Sequence, residues 1–193
     1  VTADPTSPLA AWTDRLAALA PALTVAERPF RAQLTVRVSD PSAIEAMGSA
    51  LGVAFPPVPC TFTSGAGPFG AVEVLWLGPD EFLVVAPPDL QIPLEDALRA
   101  ARGSARGSVV DTSAQRTTVV LEGSHVRDVL AHGCSVDLHP SSAPVGTCVQ
   151  TLLARTGIIL QVTGEDRFTV LVRSSFAGYL AAWLSDACVE YRT

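Results

Sequence analysis

Two segments of this 193-residue chain carry the same spaced pattern, and that repetition limits the fold more than any other feature. Gly78-x-Asp80-x-Phe82-x-Val84 returns as Gly164-x-Asp166-x-Phe168-x-Val170, an offset of 86 residues. At 85 or 86, Arg31 falls on Arg116, Ile44 on Val129, Gly48 on Gly133 and Leu98 on Leu184. Self-similarity at a fixed period marks a structural unit used twice.

The order of elements agrees. Alternating Leu34, Val36 and Val38 predict a strand at 31–38, and Ser39-Asp40-Pro41 opens a helix that runs to Leu51. Residues 71–77 and 82–86 are apolar strands around the turn Gly78-Pro79-Asp80-Glu81. A helix at 91–102 ends at Gly103, and a short strand covers 108–112. The second half repeats this with a strand at 116–122, a helix at 124–131, an extended segment at 148–155, a hairpin of 158–163 with 168–173, and a helix at 175–191. Hairpins paired with covering helices predict an α+β fold of duplicated β-α-β-β-α modules, each of split β-α-β type, packed about a pseudo-twofold axis. The expected divisions are an N-terminal arm at 1–28 with a helix at 9–20, a first half at 29–112 and a second at 113–193, the halves forming one compact unit. Residues 53–70, rich in Pro and Gly, form a loop long enough to suggest a functional or partner-facing role.

Composition removes several chemistries. All 13 basic residues are arginine, and the chain has neither lysine nor asparagine. This excludes a P-loop lysine, a Schiff-base lysine, a kinase-type lysine and N-glycosylation sites. Nineteen acids give a formal charge of −6, and the arginines are scattered, so nucleic acid is not an expected partner. No apolar run is long enough to span a bilayer, and Val1-Thr2-Ala3-Asp4-Pro5 lacks the basic and apolar regions of a leader. The expectation is a cytoplasmic protein without a membrane partner.

The candidate sites are weak. His132, Cys134, His139 and Cys148 lie close in sequence but match no familiar metal-ligand spacing. With Cys60 and Cys188, the cysteines read as reduced structural residues. Asp111 and Asp137, with Arg116 and Arg155, could hold an anionic or amino-acid substrate, although turns and solvated ion pairs account for such residues better. Ser7, Ser113, Ser124 and Ser135 lack a nucleophile-elbow context. No neighbouring carboxylate orients His125 or His132 for acid–base work. Gly65, Gly67 and Gly70 fit G-x-G-x-x-G spacing, yet the short polar run 60–63 precedes them and a strand follows, against dinucleotide binding. No catalytic, cofactor-binding or metal residue is assigned.

Longer strings are more specific. Ser7-Pro8-Leu9, Leu75-Trp76-Leu77-Gly78-Pro79-Asp80-Glu81-Phe82-Leu83, His132-Gly133-Cys134-Ser135-Val136-Asp137-Leu138-His139-Pro140 and Phe176-Ala177-Gly178-Tyr179-Leu180 occur in order. Pro144-Val145-Gly146-Thr147-Cys148-Val149-Gln150-Thr151-Leu152-Leu153-Ala154-Arg155 lies between the last two. With these strings, nearly the whole chain resembles the gamma-subunit family of heterotetrameric sarcosine oxidase; G-C-S-x-D-L-H-P and Q-T-L-L-A-R discriminate best. The resemblance implies a fold like the folate-binding domain of the glycine-cleavage T-protein and of the tRNA-modifying GTPase. It also implies alpha, beta and delta partner subunits. Such a complex oxidatively demethylates sarcosine to glycine with hydrogen peroxide, and yields formaldehyde or, with tetrahydrofolate, methylene-tetrahydrofolate. FAD, FMN, NAD, tetrahydrofolate and zinc would belong to those partners, and the gamma chain would be structural. The alternative is a free-standing folate-binding protein of the same fold. The K-G-C-x-x-G-Q-E string of the iron–sulfur maturation branch cannot occur in a lysine-free chain.

Overall fold

The N-terminal apolar stretch does not become one long helix. The computed structural model, which describes residues 4–191, has a 3-10 turn at Ala10–Trp12, then a single short helix, α1 (Thr13–Ala17). Leu9, Leu16 and Leu19 are buried, so the segment is held by packing, and no side chain caps either piece. Val1-Thr2-Ala3, where the leader reading begins, lies outside the described residues. A strand that the sequence did not announce follows, β1 (Thr24–Arg28).

The chain then runs β2 (Ala32–Val38), α2 (Pro41–Leu51), β3 (Phe62–Gly67), β4 (Gly70–Gly78), β5 (Glu81–Ala86), α3 (Gln91–Arg102) and β6 (Gly107–Asp111). It continues as β7 (Arg116–Glu122), α4 (Val126–Ala131), β8 (Cys148–Leu153), β9 (Thr156–Gly164), β10 (Arg167–Arg173) and α5 (Ala177–Ala187). The expected C-terminal helix is thus shorter, with 3-10 turns at Ser174–Phe176 and Val189–Tyr191 on either side. Two compact units result. Among the described residues, one holds 30–114 with 146–149, and the other holds 4–29, 115–145 and 150–191.

In the unit of residues 30–114, α2 begins where its sequence signals place it. Pro41 stands in the first turn, and Asp40 accepts a 2.8 Å hydrogen bond from the Ala43 N–H. Gly52, at φ +72°, closes the helix in the left-handed conformation that glycine tolerates best. The sheet has the order β3-β4-β5-β2-β6 with antiparallel neighbours. Leu34, Val36, Val74, Val84 and Phe82 join Met47 and Leu98 of the helices in one core, where Phe55 meets Phe82 edge-on at 4.9 Å.

The expected loop at 53–70 is in part a strand. β3 has the sequence Phe-Thr-Ser-Gly-Ala-Gly, poor in strand formers, because it passes against the end of α2. A Cβ on Gly67 would stand 2.1 Å from the Leu51 carbonyl oxygen, so only glycine fits there. Each module consequently has three strands after its first helix element, rather than a hairpin alone.

The second unit repeats this plan. Its sheet order, β1-β7-β10-β9-β8, matches the first with β7 for β2, β10 for β5, β9 for β4 and β8 for β3. Both hairpins carry the same irregularity: Trp76 pairs with Phe82 and Gly78 with Glu81, as Val162 pairs with Phe168 and Gly164 with Arg167. A single loop hydrogen bond recurs as well, from the Val38 N–H to the Asp80 carbonyl (2.9 Å) and from the Gly123 N–H to the Asp166 carbonyl (3.1 Å). The fifth strand is where connectivity differs. β1 precedes the first module yet pairs with β7, whereas β6 precedes the second and pairs with β2. Glu27 anchors β1 by accepting from Thr117 Oγ1 and from Ser7 Oγ, each at 2.6 Å.

Replacing Gly67 by alanine is expected to destabilise the chain by about 1–3 kcal/mol in urea unfolding, because the carbonyl in its way is backbone. Gly157→Ala is the contrast. A Cβ there meets nothing within 4 Å, so its effect should stay under about 1 kcal/mol.

Candidate functional site

Antiparallel register, not sequence proximity, builds an arginine-lined recess in the second unit. β7 begins at Arg116 and β10 ends at Arg173, and these two residues are direct cross-strand partners. Val172 pairs with Ile158 of β9, so the next step along both strands brings Gly157 beside Arg173. Residues alternate between sheet faces, which puts Arg116 with Thr118 and Arg173 with Leu171 and Thr169. Phe168 lies on the other face, where Arg127 of α4 stacks over its ring at 5.0 Å. The arginine pair therefore sits on the face away from α4. Together with Ser135, Gln150, Thr151 and the apolar Leu152 and Ile159, the pair lines an open cleft of about 440 Å³.

Of the residues weighed in sequence as substrate, nucleophile or metal candidates, only Arg116 and Ser135 reach this cleft, joined there by Gln150, Thr151 and Leu152 of the Q-T-L-L-A-R string. Asp111 accepts from the Ser113 N–H (2.9 Å) and Ser113 Oγ (2.5 Å), a local turn. Asp137 accepts from the His139 N–H at 2.9 Å; the Ser142 hydroxyl first, then that N–H, hold its carboxyl below the ordinary value. The backbone N–H of Arg155 donates to Tyr179 Oη at 3.3 Å. Arg173 was missed because it lies far from Arg116 along the chain. The local register of the Phe168 hairpin leads only to Gly157 of β9; the partnership with Arg116 needs the long-range pairing of β10 with β7.

The histidines have partners of their own. His125 stacks on Tyr191 at 4.8 Å, with its Nδ1 3.5 Å from Asp128 Oδ2, so a carboxylate does stand beside it, one turn along α4. His132 Nε2 lies 3.1 Å from Tyr191 Oη, and His139 Nδ1 2.7 Å from Ser141 Oγ. Desolvation, then the Asp128 carboxylate, raises the pKa of the Tyr191 phenol. Among the described residues no three His, Cys, Asp or Glu side chains converge as a metal set. Cys148 is buried, and its N–H donates to the Cys60 carbonyl at 2.8 Å. Burial above all pushes the Cys148 thiol up to about 12, with the Cys60 and Glu73 charges adding. Gly65, Gly67 and Gly70 lie on β3 and at the start of β4, where Gly67 pairs with Gly70 across a tight hairpin. That geometry does not fit a dinucleotide loop, which needs a helix N-terminus at its end.

In the other unit an apolar groove of about 490 Å³ follows α2, lined by Ile44, Gly48, Val53 and Phe55 among others. No helix among the described residues is long and apolar enough to cross a membrane.

A sequence model of the sarcosine oxidase, gamma subunit family matches residues 36–190. The chain belongs to that family. It is 37% identical over 171 residues to the sarcosine oxidase subunit gamma of Corynebacterium sp. (strain U-96), covering 88% of this chain and 81% of that one. The corresponding subunit from Arthrobacter sp. is 38% identical over 171 residues, with 88% and 82% covered. Among solved structures, a chain of the heterotetrameric sarcosine oxidase from Corynebacterium sp. U-96, in complex with pyrrole 2-carboxylate, superposes with a TM-score of 0.88. That match is 34% identical and covers 98% of this gamma-family chain and 97% of the other. The glycine cleavage aminomethyltransferase T of Bartonella henselae shares the fold at a TM-score of 0.65 and 18% identity, over 97% of this chain and 51% of its own. The expected T-protein-like α+β fold is therefore the observed one.

On the folded chain, a thiol reagent should modify the exposed Cys60 well before the buried Cys148, as read by peptide mass spectrometry. Cys148 also predicts a pH effect. Below its ordinary value of 9.0 the thiol is protonated in both folded and unfolded chains. As pH rises from 9 toward 12 only the unfolded chain releases the proton, so stability should fall across that window, and less so in Cys148→Ala.

Proposed function

We propose that this chain is a gamma subunit without catalytic residues of its own, which joins alpha, beta and delta subunits in a cytoplasmic sarcosine oxidase. The complex would oxidatively demethylate sarcosine to glycine with hydrogen peroxide, the carbon leaving as formaldehyde or as methylene-tetrahydrofolate. FAD, FMN, NAD, tetrahydrofolate and zinc would be held by the partner subunits. The observation that carries this reading is the superposition on a chain of a heterotetrameric sarcosine oxidase over 98% of the residues, at 34% identity. The chain's own polar groups are in keeping with it: Asp111, Asp137 and His139 bond to residues within five positions, an arrangement that suits turns better than substrate work.

Co-expression with affinity-tagged alpha and beta subunits tests the assignment. The chain is expected to co-purify in a fixed ratio, and its omission should reduce recovery of the assembled oxidase. A chain that stays monomeric and never enters the tagged complex contradicts it. The T-protein-like fold supports the second reading, a free-standing folate-binding protein. Titration with tetrahydrofolate separates the two: an affinity tighter than about 100 μM, roughly −5.5 kcal/mol, favours the second.

A further inference from the structure

We infer that the cleft formed by β7, β8, β9 and β10 binds a small organic anion, presenting a carboxylate or phosphate to Arg116 and Arg173. Like charges directly opposite on neighbouring strands destabilise a ladder, yet the register sets these two arginines side by side. A guanidinium pair in that arrangement matches the oxygens of a carboxylate or phosphate. Among the described residues no Asp or Glu lines the cleft. Its cationic lining is the opposite of the chain as a whole, which carries a formal charge of −6. Ser135, Gln150 and Thr151 add neutral donors, and Leu152, Ile158 and Ile159 give a carbon skeleton apolar surface. The volume of about 440 Å³ suits a small molecule.

The internal duplication supplies a control. At the matching offset, Arg116 corresponds to Arg31, but Arg173 corresponds to Pro87 and Gly157 to Ala71. The first unit forms the same β2–β5 ladder, ending at Ala32 opposite Ala86, with no second arginine. The fold therefore does not require the pair. Gly157 adds to the case, since a Cβ there would meet nothing within 4 Å, which leaves the cleft open beside Arg173. Two departures from the twin unit, an added charge and a side chain removed, fall at one spot.

Titration of the full chain with inorganic phosphate and, separately, with glutarate tests the site, followed by backbone amide NMR shifts and by melting temperature. Saturable binding is expected for at least one probe, with Kd of about 1 mM or tighter and shifts centred on residues 116, 157 and 173. The two probes distinguish a phosphate from a carboxylate ligand. Arg173→Gln and Arg116→Gln should each weaken binding at least tenfold, while Arg106→Gln, equal in charge change but in the other unit, leaves it unaltered. The saturating anion should raise the melting temperature of the wild type and not that of Arg173→Gln. Removing a like-charged neighbour should leave Arg173→Gln folded, so a loss of binding reports on the site. Absence of saturable binding to both probes, or equal losses in Arg106→Gln and Arg173→Gln, overturns the inference. So does a glutamate-rich peptide binding more than tenfold tighter than glutarate, since the cleft would then be a docking point for an acidic protein segment.

Discussion

A strand buried on both faces must satisfy its backbone N–H and C=O groups through neighbours on both edges, and the architecture of this chain follows from that demand. β7 is buried from Thr117 to Leu121, and β2 is nearly so. The hairpin strands β10 and β5 satisfy one edge of each. The other edge is met by β1 and β6, each of which leads into the opposite module in sequence. Neither module closes its sheet with its own leading strand. This is why residues 4–29 belong with the second half of the chain, and why β1 exists at all: Thr24–Arg28 is short, but β7 offers it a row of hydrogen-bond partners.

Duplication then separates what the fold needs from what it does not. Both units keep the hairpin with its shared irregularity, the carbonyl-bonded turn aspartates Asp80 and Asp166, and the buried Phe82 and Phe168. These are backbone and packing requirements, and they survive together because each depends on the others. The ends of the ladders are under no such constraint. There the first unit ends its pairing at two alanines, whereas the second extends to two arginines beside a cleft.

Much of the fold was legible because its signals are local. Asp40-Pro41 starts α2, Gly78-Pro79-Asp80-Glu81 turns the first hairpin, and the alternation of Leu34, Val36 and Val38 marks a strand, so these elements fall within a residue or two of their expected bounds. β3 was not legible. Its Thr, Ser and Gly residues reflect the nearness of the Leu51 carbonyl, a contact that composition alone reads as loop. The N-terminal helix was overestimated for a related reason: Leu9, Leu16 and Leu19 have helical spacing, but they are buried by packing that a 3-10 turn and one short helix already achieve. Of the candidate site, Arg116 and Ser135 could be named, but not their relation to Arg173.

The sequence by itself determined the duplicated α+β plan, the absence of lysine chemistry and, through its longer strings, the family. Those properties rest on residue identity and short-range spacing. The exchange of leading strands and the arginine pair were decided only by tertiary structure. Both depend on which strands become neighbours and in what register, and backbone hydrogen bonding settles that between residues 90 to 98 positions apart for β1 and β7, and 57 for the arginines.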